Sequence, residues 1–168
     1  MIAVVGHADL TAQTLKLLEA ELGDRLKRLA QPGSLVLVRA GQGLPVVAGR
    51  AARSAGLPLV VVLPSQGSVP ALLPVPDRAA AGELLFLANH VRLMSYDPAD
   101  RDACVSADER LASSSSQRLA VWDGSPSRDQ DATADVIAHA RGQGIATETL
   151  RVPGYAHRST LPCPGESS

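Results

Sequence analysis

The residues most suited to chemistry stand between an apolar run, Leu119-Ala120-Val121-Trp122, and a segment where Val136, Ile137 and Ala140 recur at helical spacing. That order predicts a strand, a polar turn from Asp123 to Gln130, and a helix over residues 131–141. A strand feeding a helix N-terminus leaves backbone N–H groups unpaired, and the helix dipole adds partial positive charge there. Such a corner can hold a phosphate or a carboxylate. Thr133 can donate its hydroxyl and amide to that group, or bond only its own turn; either it or Asp131 can cap the helix. Asp123 and Gly124 can meet a ribose hydroxyl, or simply turn the chain. His7 titrates near neutral pH and can contact phosphate, or stand solvated in its loop. Hydrolysis of an N-glycosidic bond would need a carboxylate to stabilise an oxocarbenium-like centre or to activate water. Glu109, Asp123 and Asp135 are the candidates, and each reads equally as a solvated acid. His7, His90, His139 and His157 show no metal-ligand spacing. Cys104 and Cys163 make neither a disulfide framework nor a metal cluster. No cofactor is expected.

The flanking chain supplies the elements that would position these groups. Met1 to Gly6 reads as a central strand ending in glycine. Leu15, Leu18, Leu22, Leu26 and Leu29 mark an amphipathic helix that Asp9 or Thr11 can cap and Gln31-Pro32-Gly33 stops. A second strand covers Ser34 to Val38, and a flexible turn through Gly41 and Gly43 leads to Pro45, near the start of a helix that ends at Gly56. Leu57 to Leu63 is a buried strand closed by Pro64. Residues 64–76 carry four prolines and predict a loop, a lid or mobile segment by its length. A helix over Arg78 to Ala88, a strand over His90 to Tyr96 and a polar-faced helix over Asp100 to Ser114 follow. Ile145 to Val152 can form an edge strand. Residues 1–152 thus form one domain, and 153–168 have the composition of a disordered tail.

Six strands alternating with five helices predict an α/β, Rossmann-like doubly wound domain, its mainly parallel sheet covered by helices on both faces. Ligands of such sheets bind beyond the carboxyl ends of the strands. This places Gly6 to Asp9, Arg39 to Leu44 (with Gly41 and Gly43), Ser95 to Asp97 and Asp123 to Thr133 around the expected site.

The chain has 168 residues, a net charge of -1 and only four aromatic residues, Phe86, Tyr96, Trp122 and Tyr155. There is no basic footprint for nucleic acid and no stacking platform for single strands. No apolar stretch is long enough to span a bilayer, and no signal peptide opens the sequence, so a cytoplasmic protein is the expectation. A homodimer stays open.

Gly6-His7, Leu59-Val60-Val61-Val62-Leu63-Pro64, Ala107-Asp108-Glu109-Arg110-Leu111 and, above all, Leu119-Ala120-Val121-Trp122-Asp123-Gly124 with Thr133-Ala134-Asp135-Val136 resemble the SLOG superfamily. That superfamily takes in the Smf/DprA proteins and the lonely-guy (LOG) phosphoribohydrolases, and the similarity, over residues 1–150, is closest to its small bacterial members. The resemblance implies a Rossmann-like fold that binds a nucleotide or nucleotide-derived phosphate ligand, its phosphate held by the loop before the fifth helix. The sequence departs from the family where Asp131-Ala132-Thr133 replaces Gly-Gly-Thr and Val136 stands nearest the catalytic Glu of the lonely-guy enzymes. Binding or sensing of a nucleotide-like small molecule is therefore the expected function. A phosphoribohydrolase-like N-glycosidase using Glu109 and Asp135 is the alternative, and a ligand-free scaffold the second alternative.

Overall fold

The computed structural model describes residues 1–6, 11–121, 142 and 146–150. The chain runs β1 (Ile2–Gly6), α1 (Ala12–Leu29), β2 (Val36–Arg39), α2 (Leu44–Ser54), β3 (Leu59–Gln66), β4 (Val69–Pro70), α3 (Val75–Leu87), β5 (His90–Ser95), α4 (Arg101–Ser113), β6 (Gln117–Val121) and β7 (Ala146–Leu150). Six strands lie parallel in the order β5-β3-β2-β1-β6-β7, and the short β4 adds antiparallel to the end of β3. The chain winds outward from β1 through β2 and β3 to β5, then returns past β1 to β6 and β7. Strand order therefore reverses between β1 and β6. The architecture is Rossmann-like α/β, as the alternation of elements predicts.

Side-chain alternation along the strands decides which helix covers which face. Ile2, Val4, Val36, Val38, Val61, Leu119 and Val121 pack with Leu18, Leu22 and Leu26 of α1, Val47, Ala48 and Ala51 of α2, and Leu84 of α3. The alternate residues point the other way: Val5 and Ala120 meet Ala112, while Leu37, Val60 and Val62 meet Leu111, both on α4. Thr11 caps α1, its side-chain oxygen accepting from the Thr14 amide at 3.2 Å. Asp9, the other candidate cap, lies outside the described residues, as do the helix expected over 131–141 and the tail from 153.

The segment 64–76 departs from its expectation of an irregular loop. β3 continues through Pro64 to Gln66, the chain turns at Gly67, and β4 pairs back onto Ser65 and Gln66. Pro64 is tolerated because of which edge its missing N–H faces. The N and O of one strand residue share an edge, and the Pro64 carbonyl accepts from the Ala71 amide at 2.8 Å. That edge lies beyond the end of β2, whose last paired residue is Arg39 against Val62, so no ladder bond is lost. Helix α3 also begins earlier than expected, at Val75, with Pro76 in its first turn, where no intrahelical N–H donation is required.

Arg118, on the α4 face of β6, is buried, and among the described residues none of its guanidinium nitrogens has a partner. Burial lowers its pKa. The described residues give no account of this cation.

Candidate functional site

The carboxyl ends of β3 and β5 open onto a cleft of about 770 Å³, a volume typical of small-molecule sites. One wall is the hairpin arm Ser65, Gln66 and Gly67 with Ala71 to Pro74; the opposite wall is Ser95 to Ala99. Arg78, from the first turns of α3, stands in this lining. Its Nε donates to the Leu73 carbonyl at 2.9 Å, which fixes the arm and the side chain to each other. The two terminal guanidinium nitrogens have no partner among the described residues. They are hydrogen-bond donors suited to a phosphate or carboxylate. Ser65 and Ser95 contribute hydroxyls. Asp97 is the sole carboxylate among the described residues of the lining, and its Oδ1 accepts from the Ala99 amide at 2.9 Å to shape the turn.

Behind this wall lies an ionic cluster. Arg39, at the end of β2, reaches Asp108 on α4 through two bonds, Nε to Oδ1 at 2.7 Å and a terminal nitrogen to Oδ2 at 3.1 Å. The guanidinium carbon sits 6.0 Å from the centre of the Tyr96 ring, within cation–π range. Burial alone would lower the Arg39 pKa, but the charge and hydrogen bonds of Asp108 override it and hold the value above the ordinary arginine range. Cys104 packs in the same cluster, and burial pushes its thiol up despite the neighbouring Arg39, so it is a protonated, poorly nucleophilic cysteine.

Tyr96 joins cluster and cleft. It is 8 % exposed, its ring lines the cleft, and its hydroxyl is buried without a partner. Burial pushes its pKa up to about 12, against the opposing pull of Arg39. The folded state therefore binds the phenolic proton more tightly than the unfolded chain. The resulting stability is intact below about pH 10 and is lost as pH rises through about 12. Tyr96→Phe is expected to remove this contribution, flattening the alkaline limb of denaturant-derived stability relative to wild type. At neutral pH, where both states hold the phenolic proton, the variant should be at least as stable as wild type, because the deleted hydroxyl is buried with no hydrogen-bond partner among the described residues.

Gly6 ends β1 at the reversal of strand order. The requirement for glycine there is a packing one. A Cβ at this position would overlap the Leu44 side chain and lie 2.8 Å from the Val121 carbonyl oxygen. Gly43 adopts φ 80° as the N-cap of α2, a left-handed backbone that explains its type without a ligand. It also borders a groove of about 300 Å³ between α1 and α2 with Lys16 and Arg50. Gly41 stands beside Asp77 of α3, whose Oδ1 accepts from the Gln42 amide at 3.2 Å. Gly6, Gly41 and Gly43 thus share one edge of the sheet, but none lines the larger cleft. Glu109 lies on α4, half-buried and outside the cleft, next to the Asp108 that holds Arg39. His7, Asp123, Gly124, Thr133 and Asp135 lie outside the described residues.

Of the expected loops, Ser95 to Asp97 is the one that the cleft uses. Sequence reasoning placed Tyr96 in an expected loop without giving it a role, and did not single out Arg78, Ser65 or Asp108 as site residues. Arg39 carried a faint signal, a cation closing the apolar run Val36-Leu37-Val38. Its partner stands 69 residues away, beyond any local pattern. Among the described residues no group of three or more His, Cys, Asp or Glu side chains can hold a metal ion. Among them, too, no helix is long and apolar enough to cross a membrane.

No family model matches the chain, and no curated protein does. Among solved structures, it is similar to the Moco carrier protein from Chlamydomonas reinhardtii. The TM-score is 0.52 at 20% identity, over 89% of this chain and 74% of that one. At that identity the likeness establishes the fold alone.

Proposed function

We propose that this chain binds a phosphate-bearing, nucleotide-like small molecule in the cleft at the ends of β3 and β5. The observation that carries the reading is the Arg78 guanidinium. It is an exposed side chain that donates through Nε to the Leu73 carbonyl, and among the described residues its two terminal nitrogens, in the lining of this cleft, have no partner. The position meets one part of the rule for open α/β sheets, lying beyond the carboxyl ends of strands, but at β3 and β5 and not at the reversal between β1 and β6. The volume suits a mononucleotide. Two further supports are the resemblance to the SLOG superfamily and the likeness to a structure named as a Moco carrier protein, a binding role. Binding without turnover fits the lining better than N-glycoside hydrolysis. That reaction needs an available carboxylate at the sugar; among the described residues the lining offers Asp97 alone, its Oδ1 engaged with its own turn, while Glu109 lies outside the cleft and Asp123 and Asp135 lie outside the described residues.

A panel of nucleoside 5′-monophosphates tests the reading by thermal shift, with free base and ribose 5-phosphate assayed in parallel. At least one member is expected to raise Tm by mass action, with no product released. Arg78→Ala should weaken that binding by about 10- to 100-fold, the loss of charge-assisted hydrogen bonds. Release of free base at enzyme-like rates would favour the hydrolase instead.

A further inference from the structure

We propose that Leu72 is the base-contacting residue of the cleft at β3 and β5, which makes the site prefer nucleotides over the same sugar phosphate without a base. The inference rests on the phosphate reading above and extends it to the rest of the ligand. Leu72 stands in the cleft lining with 77% of its surface exposed. The arm is held on both sides of it. β4 pairs with Ser65 and Gln66, and the Ala71 amide donates to the Pro64 carbonyl at 2.8 Å. The Leu73 carbonyl accepts from Arg78 Nε, and the Leu73 side chain packs against the core. A fixed backbone thus presents Leu72 to the cleft and leaves it uncovered.

A lone exposed leucine needs no explanation. Leu72 has a neighbour that supplies one. The hydrogen bond from Arg78 reaches the next residue, so an anion held by the terminal guanidinium nitrogens shares a cleft with the Leu72 side chain. The opposite wall adds the carbon surface of Tyr96, Pro98 and Ala99. A cation set among carbon surfaces calls for a ligand with a charged head and an apolar body. Ribose, with hydroxyls around its ring, gains little there. A nucleobase offers two apolar faces and a polar rim. Its faces suit Leu72 and the facing wall, and its rim suits the Ser65 and Ser95 hydroxyls and the Asp97 carboxylate. A plain alkyl phosphate would cover the carbon surface but desolvate those polar groups without pairing them.

NMR titration of the full chain with the four common nucleoside 5′-monophosphates, ribose 5-phosphate and hexyl phosphate tests the proposal, since it reads affinities down to the millimolar range. At least one nucleotide is expected to bind about 10-fold or more tightly than either base-free compound. Leu72→Ala should weaken that nucleotide by about 10-fold, part of the burial of one leucine, and leave ribose 5-phosphate within about twofold. Its Tm without ligand should match wild type, because the side chain is exposed. Leu72→Phe should keep the preference, since an aromatic ring also stacks on a base. Arg78→Ala should weaken nucleotide and ribose 5-phosphate alike. Equal affinity for nucleotides and ribose 5-phosphate, tighter binding of hexyl phosphate, or a Leu72→Ala loss that is absent or shared by ribose 5-phosphate overturns the role of Leu72. In each of those cases binding that still depends on Arg78 leaves the phosphate reading standing. Binding of none of the six compounds overturns both.

Discussion

Gly6→Ala is expected to lower the unfolding free energy by about 3 kcal/mol, the upper end of overpacking effects. For a chain of this length that corresponds to roughly 6–12 °C in Tm. The added methyl has nowhere to go. The Val121 carbonyl oxygen and Cβ stand 2.8 and 2.9 Å from its position, and both belong to a strand in register with β1. Leu44, also in conflict, is 3 % exposed and locked among the first residues of α2. Relief would require β1 and β6 to separate or α2 to lift, and either uncovers core. Gly49→Ala is a useful comparison. Its nearest neighbours are the ends of the Leu84 and Leu59 side chains, at 3.1 and 3.2 Å, so the overlap to be relieved is a few tenths of an ångström, with no backbone atom in conflict. A change under about 0.5 kcal/mol at Gly6, the size of an ordinary surface effect, would contradict the close approach of β1 to β6.

Asp108→Ala should cost about 2 kcal/mol. Breaking a fully buried ion pair by deleting one partner typically costs about 3–5 kcal/mol, because the other charge is stranded. Here the Arg39 and Asp108 side chains keep 28% and 21% of their exposure, so water recovers part of that loss. The double variant Arg39→Met, Asp108→Leu removes both charges and should recover most of the stability. Chemical denaturation of wild type, Arg39→Met, Asp108→Leu and the double variant reads the coupling. Strictly additive single costs would show that the two-bond contact contributes nothing of its own.

Both effects bear on how far the fold could be read beforehand. The alternation of apolar runs with helical periodicities was enough for the doubly wound sheet, because buried strands and leucine-striped helices each leave a local signature. α1 shows this well: the five leucines of its core-facing stripe (Leu17, exposed, is a sixth) and the Thr11 cap lie within one continuous stretch. Segment 64–76 was less legible. Its prolines argue against a central strand, yet Pro64 sits in β3 because its edge partner ends early, a fact of register between distant segments. The cleft was harder still. Asp97 closes an expected loop, but Arg78 looks like an ordinary helix-start residue, and only the return of β5 beside β3 brings the two into the lining of one cleft. Glycines were visible but ambiguous. Gly6 and Gly43 are explained by packing and by backbone angle, two needs that sequence alone does not separate from a ligand's approach.

The most direct test is a ¹H–¹⁵N NMR titration of the full chain with the nucleoside 5′-monophosphate that gives the largest thermal shift. Saturable shifts concentrated at the amides of Ser65, Gln66, Ser95, Tyr96 and Asp97, and much weakened in Arg78→Ala, are the predicted result. Shifts confined to other residues, with these amides unmoved at saturation, would contradict the assignment of the cleft.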